Sequence, residues 1–103
     1  MAEFAVRRDD DRTALIASGD VDIDVTDVLI ARVTGLLDEG AAHVEIDLGA
    51  VTFIDSSGLG ALVRVRNDAA ARGSRLTLTR VPATIWRLFE ITGLAEMFDE
   101  PGA

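Results

Sequence analysis

The hydrophobic pattern of this chain changes its period across one short junction, Phe53-Ile54-Asp55-Ser56-Ser57-Gly58-Leu59-Gly60. Upstream, His43-Val44-Glu45-Ile46-Asp47-Leu48 alternates apolar and polar residues, as a strand does. Gly49-Ala50-Val51 reads as a turn, and Thr52-Phe53-Ile54 leads into the junction. Downstream, Leu59, Leu62, Val63, Ala69 and Ala70 share one arc of a helix predicted from about Ser57 to Ala71 and closed by Arg72-Gly73. Arg66 falls in that arc; its stem is expected to pack while its head reaches water. A strand that runs into a helix must bury both apolar faces in one core, which leaves few architectures.

The flanking segments repeat the alternation. Phe4-Ala5-Val6-Arg7-Arg8 and Thr13-Ala14-Leu15-Ile16-Ala17-Ser18 read as strands joined by the turn Asp9-Asp10-Asp11, an antiparallel hairpin. Gly19-Asp20-Val21-Asp22 breaks the pattern and starts a loop. Asp24, Thr26 and Asp27 offer caps for a helix carrying Val25, Leu29, Val33 and Leu36/Leu37 on one stripe and ending at Gly40. Gly35 inside it costs about 1 kcal/mol relative to alanine, so that helix relies on packing. Leu76-Thr77-Leu78-Thr79 is a further strand. Pro82 suits the first turn of a last helix, with Ile85, Leu88 and Phe89 buried, Gly93 as its stop, and Leu94 to Phe98 as one more turn before a frayed tail.

The order is strand, strand, helix, strand, helix, strand, helix. It predicts an α/β domain: one mixed, mostly parallel sheet of about five pairing elements, with an N-terminal antiparallel edge strand and helices mainly on one face. In such sheets the functional loops lie beyond the carboxyl ends of the parallel strands. Those loops are Gly19 to Asp24, Gly49 to Ser57 and Arg80 to Pro82, so the junction shares a pole with Asp20, Asp22 and Asp24. The 103 residues suit one domain spanning 1–103, a monomer with a radius of gyration of about 13 Å.

Composition narrows the function. The net charge is -8, with ten basic residues against eighteen acidic, and tyrosine is absent, which argues against nucleic acid. There is no cysteine, which suits a reducing cytoplasm and excludes a cysteine-based zinc site. Neither a signal peptide nor a membrane span is expected. Serine catalysis needs a neighbouring base, and the lone histidine, His43, starts a strand at the opposite pole. No Gly-rich loop followed by Lys-Ser/Thr is present, so a P-loop is absent too. Solvated turns and caps account for the aspartates better than magnesium does. No enzyme, metal or cofactor is therefore expected. What remains is a serine at a helix N-terminus, placed to be modified by a catalyst rather than to act as one.

The chain resembles the STAS domain family, and within it the stand-alone bacterial anti-sigma factor antagonists. The resemblance rests on three stretches in order: Gly19-Asp20-Val21-Asp22; Ile46-Asp47-Leu48 with Val51 to Gly60; and Phe89-Glu90-Ile91-Thr92-Gly93-Leu94. It implies a STAS fold and a protein that binds a kinase-type anti-sigma factor of histidine-kinase-like ATPase fold, releasing the sigma factor. It also implies that the partner kinase switches binding off by phosphorylating Ser57 and that a PP2C-type phosphatase restores it, in the cytoplasm and without membrane or nucleic acid. The partner-facing set is then Asp20, Asp22, Asp24, Asp55, Ser56, Ser57, Gly58, Leu59 and Gly60, with Ser56 as the helix cap. Trp86, set off the buried stripe, is either a half-buried cover for the helix end or a partner anchor. Two other functions fit the same residues: a non-phosphorylated STAS accessory subunit of a transport or signalling assembly, and a nucleotide- or anion-binding module.

Overall fold

A computed structural model describes residues 2–9 and 12–98. One four-stranded sheet has the order β1-β2-β3-β4, from β1 (Glu3–Asp9), β2 (Arg12–Val21), β3 (His43–Ile54) and β4 (Arg75–Thr79). β1 is antiparallel to β2, and the β2–β3 and β3–β4 pairs are parallel. The helices are α1 (Thr26–Asp38), α2 (Ser56–Ala71) and α3 (Ala83–Thr92), with a short 3₁₀ turn, η1, at Ala95–Met97. This is the predicted α/β architecture with four strands among the described residues where about five pairing elements were expected. Asp10, Asp11 and the tail from 99 onward lie outside the described residues.

The core is the apolar layer between the helices and one face of the sheet. Leu15, Ala17 and Val21 of β2, Val44, Ile46 and Leu48 of β3, and Leu78 of β4 point into it. α1 adds Leu29, Val33, Leu36 and Leu37; α2 adds Leu59, Leu62, Val65 and Ala69; α3 adds Ile85 and Phe89. The helical stripes match the expected ones with four exceptions: Ala70 and Leu88 are exposed, and Ala61 and Val65, outside the expected arc, are buried.

Two segments expected as loops belong to strands. β2 runs through Gly19 to Val21, and β3 through Gly49-Ala50-Val51 to Ile54. The register explains the misreading. Ile16 pairs with Asp47 but Ser18 with Ala50, and Gly19 pairs with Val51 but Asp20 with Phe53. At each step β3 carries one extra residue, a bulge. The inward positions of β3 therefore change from 44, 46 and 48 to 51 and 54, and the alternation fails by eye. Gly19, at φ 85, supplies the left-handed backbone beside the second bulge.

The helix ends also differ in detail. α1 is preceded by Val25 and has no side-chain cap, so Asp24, Thr26 and Asp27 do not cap it. Asp22 accepts from the Asp24 N–H at 3.1 Å, and the Thr26 hydroxyl donates to the Ile23 carbonyl, so these residues shape the turn. Pro82 is the residue before α3 rather than part of its first turn. Gly93 (φ 78) ends α3 in left-handed conformation, as expected of a helix stop. The Arg66 head does not simply reach water: its Nε donates to the Met97 carbonyl at 3.1 Å, tying α2 to η1.

Candidate functional site

The junction lies where β3 ends and α2 begins. Asp55 has extended backbone (φ -106, ψ -174), and its carboxylate accepts from the Gly58 N–H at 2.9 Å. Asp55, not Ser56, is thus the helix cap. Aspartate and serine cap about equally well, so residue type could not decide between them; Ser56 is already the first residue inside α2, and Asp55 holds the cap position. Among the described residues neither the Ser56 nor the Ser57 hydroxyl makes a hydrogen bond. Ser56 is exposed and Ser57 half-buried. Both sit at the positive end of the α2 dipole, where added negative charge is favoured.

The end of β2 holds the junction in place. The Asp55 N–H donates to the Val21 carbonyl at 3.3 Å. A Cβ on Gly58 would stand 2.6 Å from that same carbonyl oxygen and 2.6 Å from Ile54 Cγ1, so only glycine allows α2 to seat this closely on the strands. Gly58 therefore serves an approach within the chain. Gly60 is different: it is exposed, with nothing within 4 Å of where a Cβ would be, and leaves a bare patch one turn along α2 from Ser57. Leu59 is 6% exposed and points into the core, so its side chain presents nothing at the surface.

The acidic residues gather as the topology predicts. Asp20 pairs with Phe53 in the sheet, and its carboxylate accepts from the Thr52 hydroxyl at 2.8 Å. Asp22 and Asp24 occupy the turn after β2, whose last residue, Val21, pairs with Ile54. Asp20, Asp22, Asp24 and Asp55 thus lie at the same pole of the sheet as Ser56 and Ser57. The described residues contain no group of three or more histidine, aspartate or glutamate side chains able to hold a metal ion. The third expected loop does not join this pole: β4's last pair is Thr79–Asp47, so Arg80 lies beside Gly49, well short of the end of β3. His43 sits at the far end of β3, 2.8 Å from the Thr77 hydroxyl, away from the serines as expected.

Two side chains at this pole escaped sequence reading. Ile23 is 69% exposed and Phe53 51% exposed, large apolar groups set among carboxylates. Their hydrophobicity alone marks them as core; only the bulged register shows that Phe53 faces away from it. Trp86 is far less open. It is half-buried against the core and stacked on Phe89, with ring centroids 5.5 Å apart at 20°.

A STAS sheet with a serine-bearing junction of this kind defines the class. The family model described as "Mlab, STAS domain" matches residues 4–99, and the chain belongs to the STAS domain family. It is 30% identical to the anti-sigma-B factor antagonist of Bacillus subtilis, over 91% of this chain and 85% of that protein. It is 33% identical to the protein of the same name from Listeria monocytogenes, over 89% and 81% of the two chains. The fold is shared with a putative anti-sigma factor antagonist of Thermotoga maritima (TM-score 0.88, 21% identity, 97% of this chain and 86% of that one). It is shared also with the phosphorylated form of SpoIIAA, a Bacillus cell-fate determinant (TM-score 0.73, 19% identity, 94% and 89%).

Proposed function

We propose that this chain is an anti-sigma factor antagonist, acting as a single STAS domain in the cytoplasm and controlled by phosphorylation of Ser57. The observation that carries this reading is the division of roles at the junction: Asp55 caps α2 and leaves the Ser57 hydroxyl unengaged among the described residues. A kinase can then take that hydroxyl without dismantling the helix end. The names borne by the relatives at 30–33% identity support the same reading.

The unmodified pole docks on a kinase-type anti-sigma factor through Ile23, Phe53 and the bare backbone at Gly60, with Asp20, Asp22 and Asp24 around them. Phosphorylation adds about 1.5 to 2 negative charges at neutral pH. That charge joins an acidic surface and must be desolvated on docking, which costs several kcal/mol when it finds no partner. A loss of about 2.8 kcal/mol lowers affinity a hundredfold. A PP2C-type phosphatase reverses the change. The test is phosphorylation of the purified chain by its cognate kinase with ATP, site mapping by mass spectrometry, and calorimetry of both forms against the kinase. A phosphate on Ser56 or on a threonine, or equal affinity of the two forms, would refute the proposal.

A further inference from the structure

β1 forms one edge of the sheet, with β2 on one side and no described strand on the other. Edge strands are usually protected against self-pairing by proline, bulges or charge. β1 has no proline, and it pairs in unbroken register from Glu3–Ser18 to Asp9–Arg12. Its charges are of both signs, and their order complements a second copy of the same strand. Two copies meeting antiparallel about a two-fold axis at Ala5 place Glu3 opposite Arg7, Phe4 opposite Val6, and Ala5 opposite Ala5.

The faces agree. Phe4 pairs with Ala17 and Val6 with Leu15, both core residues, so Phe4 and Val6 lie on the helix side while Glu3 and Arg7 lie on the open side. The contact then carries two apolar pairs on one face and two opposite-charge pairs on the other. A one-residue slip mismatches the faces. A two-residue slip toward Arg7 sets Glu3 against Asp9 and Phe4 against Arg8. Glu3 has no ion-pair partner among the described residues, and Arg7 has only a loose one, Asp9 at 3.6 Å. Beside the edge lies an open groove of about 500 Å³, lined in part by Phe4, Ile16, Val28 and Arg32. Val6 and Val28 are 39% and 44% exposed.

We infer that a second copy of this chain docks on β1, joining the two four-stranded sheets into one. The contact is small, so the dimer is weak and depends on concentration, in contrast to the monomer expected from sequence. The chain contains no cysteine, so Ala5→Cys introduces a thiol whose only mate is a second copy. Opposed Cβ atoms in an antiparallel pair lie about 4.5–5.5 Å apart, near enough for a disulfide once the strands adjust. Under mild oxidation Ala5→Cys is expected to give linked dimer at least ~10-fold faster than Thr84→Cys on the exposed face of α3, because docking raises the local thiol concentration. Sedimentation velocity of the unaltered chain should show a mass that rises from one chain toward two with concentration. Arg7→Glu should lower this association, and Glu3→Arg with Arg7→Glu should restore it, circular dichroism verifying that each variant is folded. A chain monomeric up to its solubility limit, equal oxidation of the two cysteine variants, or a folded double variant that fails to regain association would each overturn the inference.

Discussion

Asp55 caps α2 two positions before Ser57, the proposed phosphorylation site, and mutation can separate the two roles. Ser57→Ala should keep kinase binding and lose phosphorylation, and Ser57→Asp should weaken binding with an unchanged circular dichroism spectrum. Ser56→Ala should still be phosphorylated, and it should leave stability within about 0.5 kcal/mol, because its hydroxyl holds nothing in the described structure. Asp55→Ala removes the α2 cap and should cost about 1 kcal/mol in thermal or urea unfolding. Gly58→Ala should cost about 1–3 kcal/mol, since its Cβ has nowhere to go between Val21 and Ile54. The motif itself was legible in the sequence. Which of its polar residues caps α2 was not, because backbone angles and not residue type decide that. The role of Gly58 was also hidden, since one of the two atoms that exclude a side chain, the Val21 carbonyl oxygen, belongs to β2, more than thirty residues upstream.

Secondary structure was legible wherever the pattern kept its period. The three helices and β1 were recovered nearly to their ends; β2 and β3 were cut short where glycine and aspartate coincide with bulges. Turn-forming residues and bulge-forming residues are largely the same ones, so only the pairing partner tells them apart. The bulges matter to the proposed docking surface because they turn Phe53 outward. Phe53→Ser and Ile23→Ser should each weaken binding to the anti-sigma factor tenfold or more while changing unfolding free energy by no more than about 0.5 kcal/mol. Trp86 should behave in the opposite way. Its stack on Phe89 contributes about 0.5–1.5 kcal/mol beyond burial, so Trp86→Ala should lower the melting temperature by several degrees and leave partner affinity nearly unchanged. A selective loss of binding with an unaltered melting curve would make it the anchor instead.

At the scale of the molecule, the Cα radius of gyration is 12.3 Å over extents of 32 × 27 × 22 Å, close to the value expected from chain length. X-ray scattering at high dilution should return a compact particle of about that size. Strand and helix order was enough to foretell the layered sheet, because crossover handedness and the need to bury each apolar face leave little choice. The same order foretold β1 as the antiparallel edge strand; the self-complementary placement of its charges was hidden, since that depends on which face each charge occupies. Net charge enters function here as well. A phosphate on Ser57 would add to a net charge of -8. Where the partner repels that charge, raising ionic strength from 0.01 M to 1 M, which shortens the screening length from about 30 Å to about 3 Å, should narrow the affinity gap between the two forms. The tight seat of Gly58 against the Val21 carbonyl has one further consequence. The first turn of α2 is clamped, so the proposed phosphorylation of Ser57 would alter what the surface repels and not how the backbone is arranged. The state of the proposed switch would then be held as stored charge and would follow the enzymes that write and erase it.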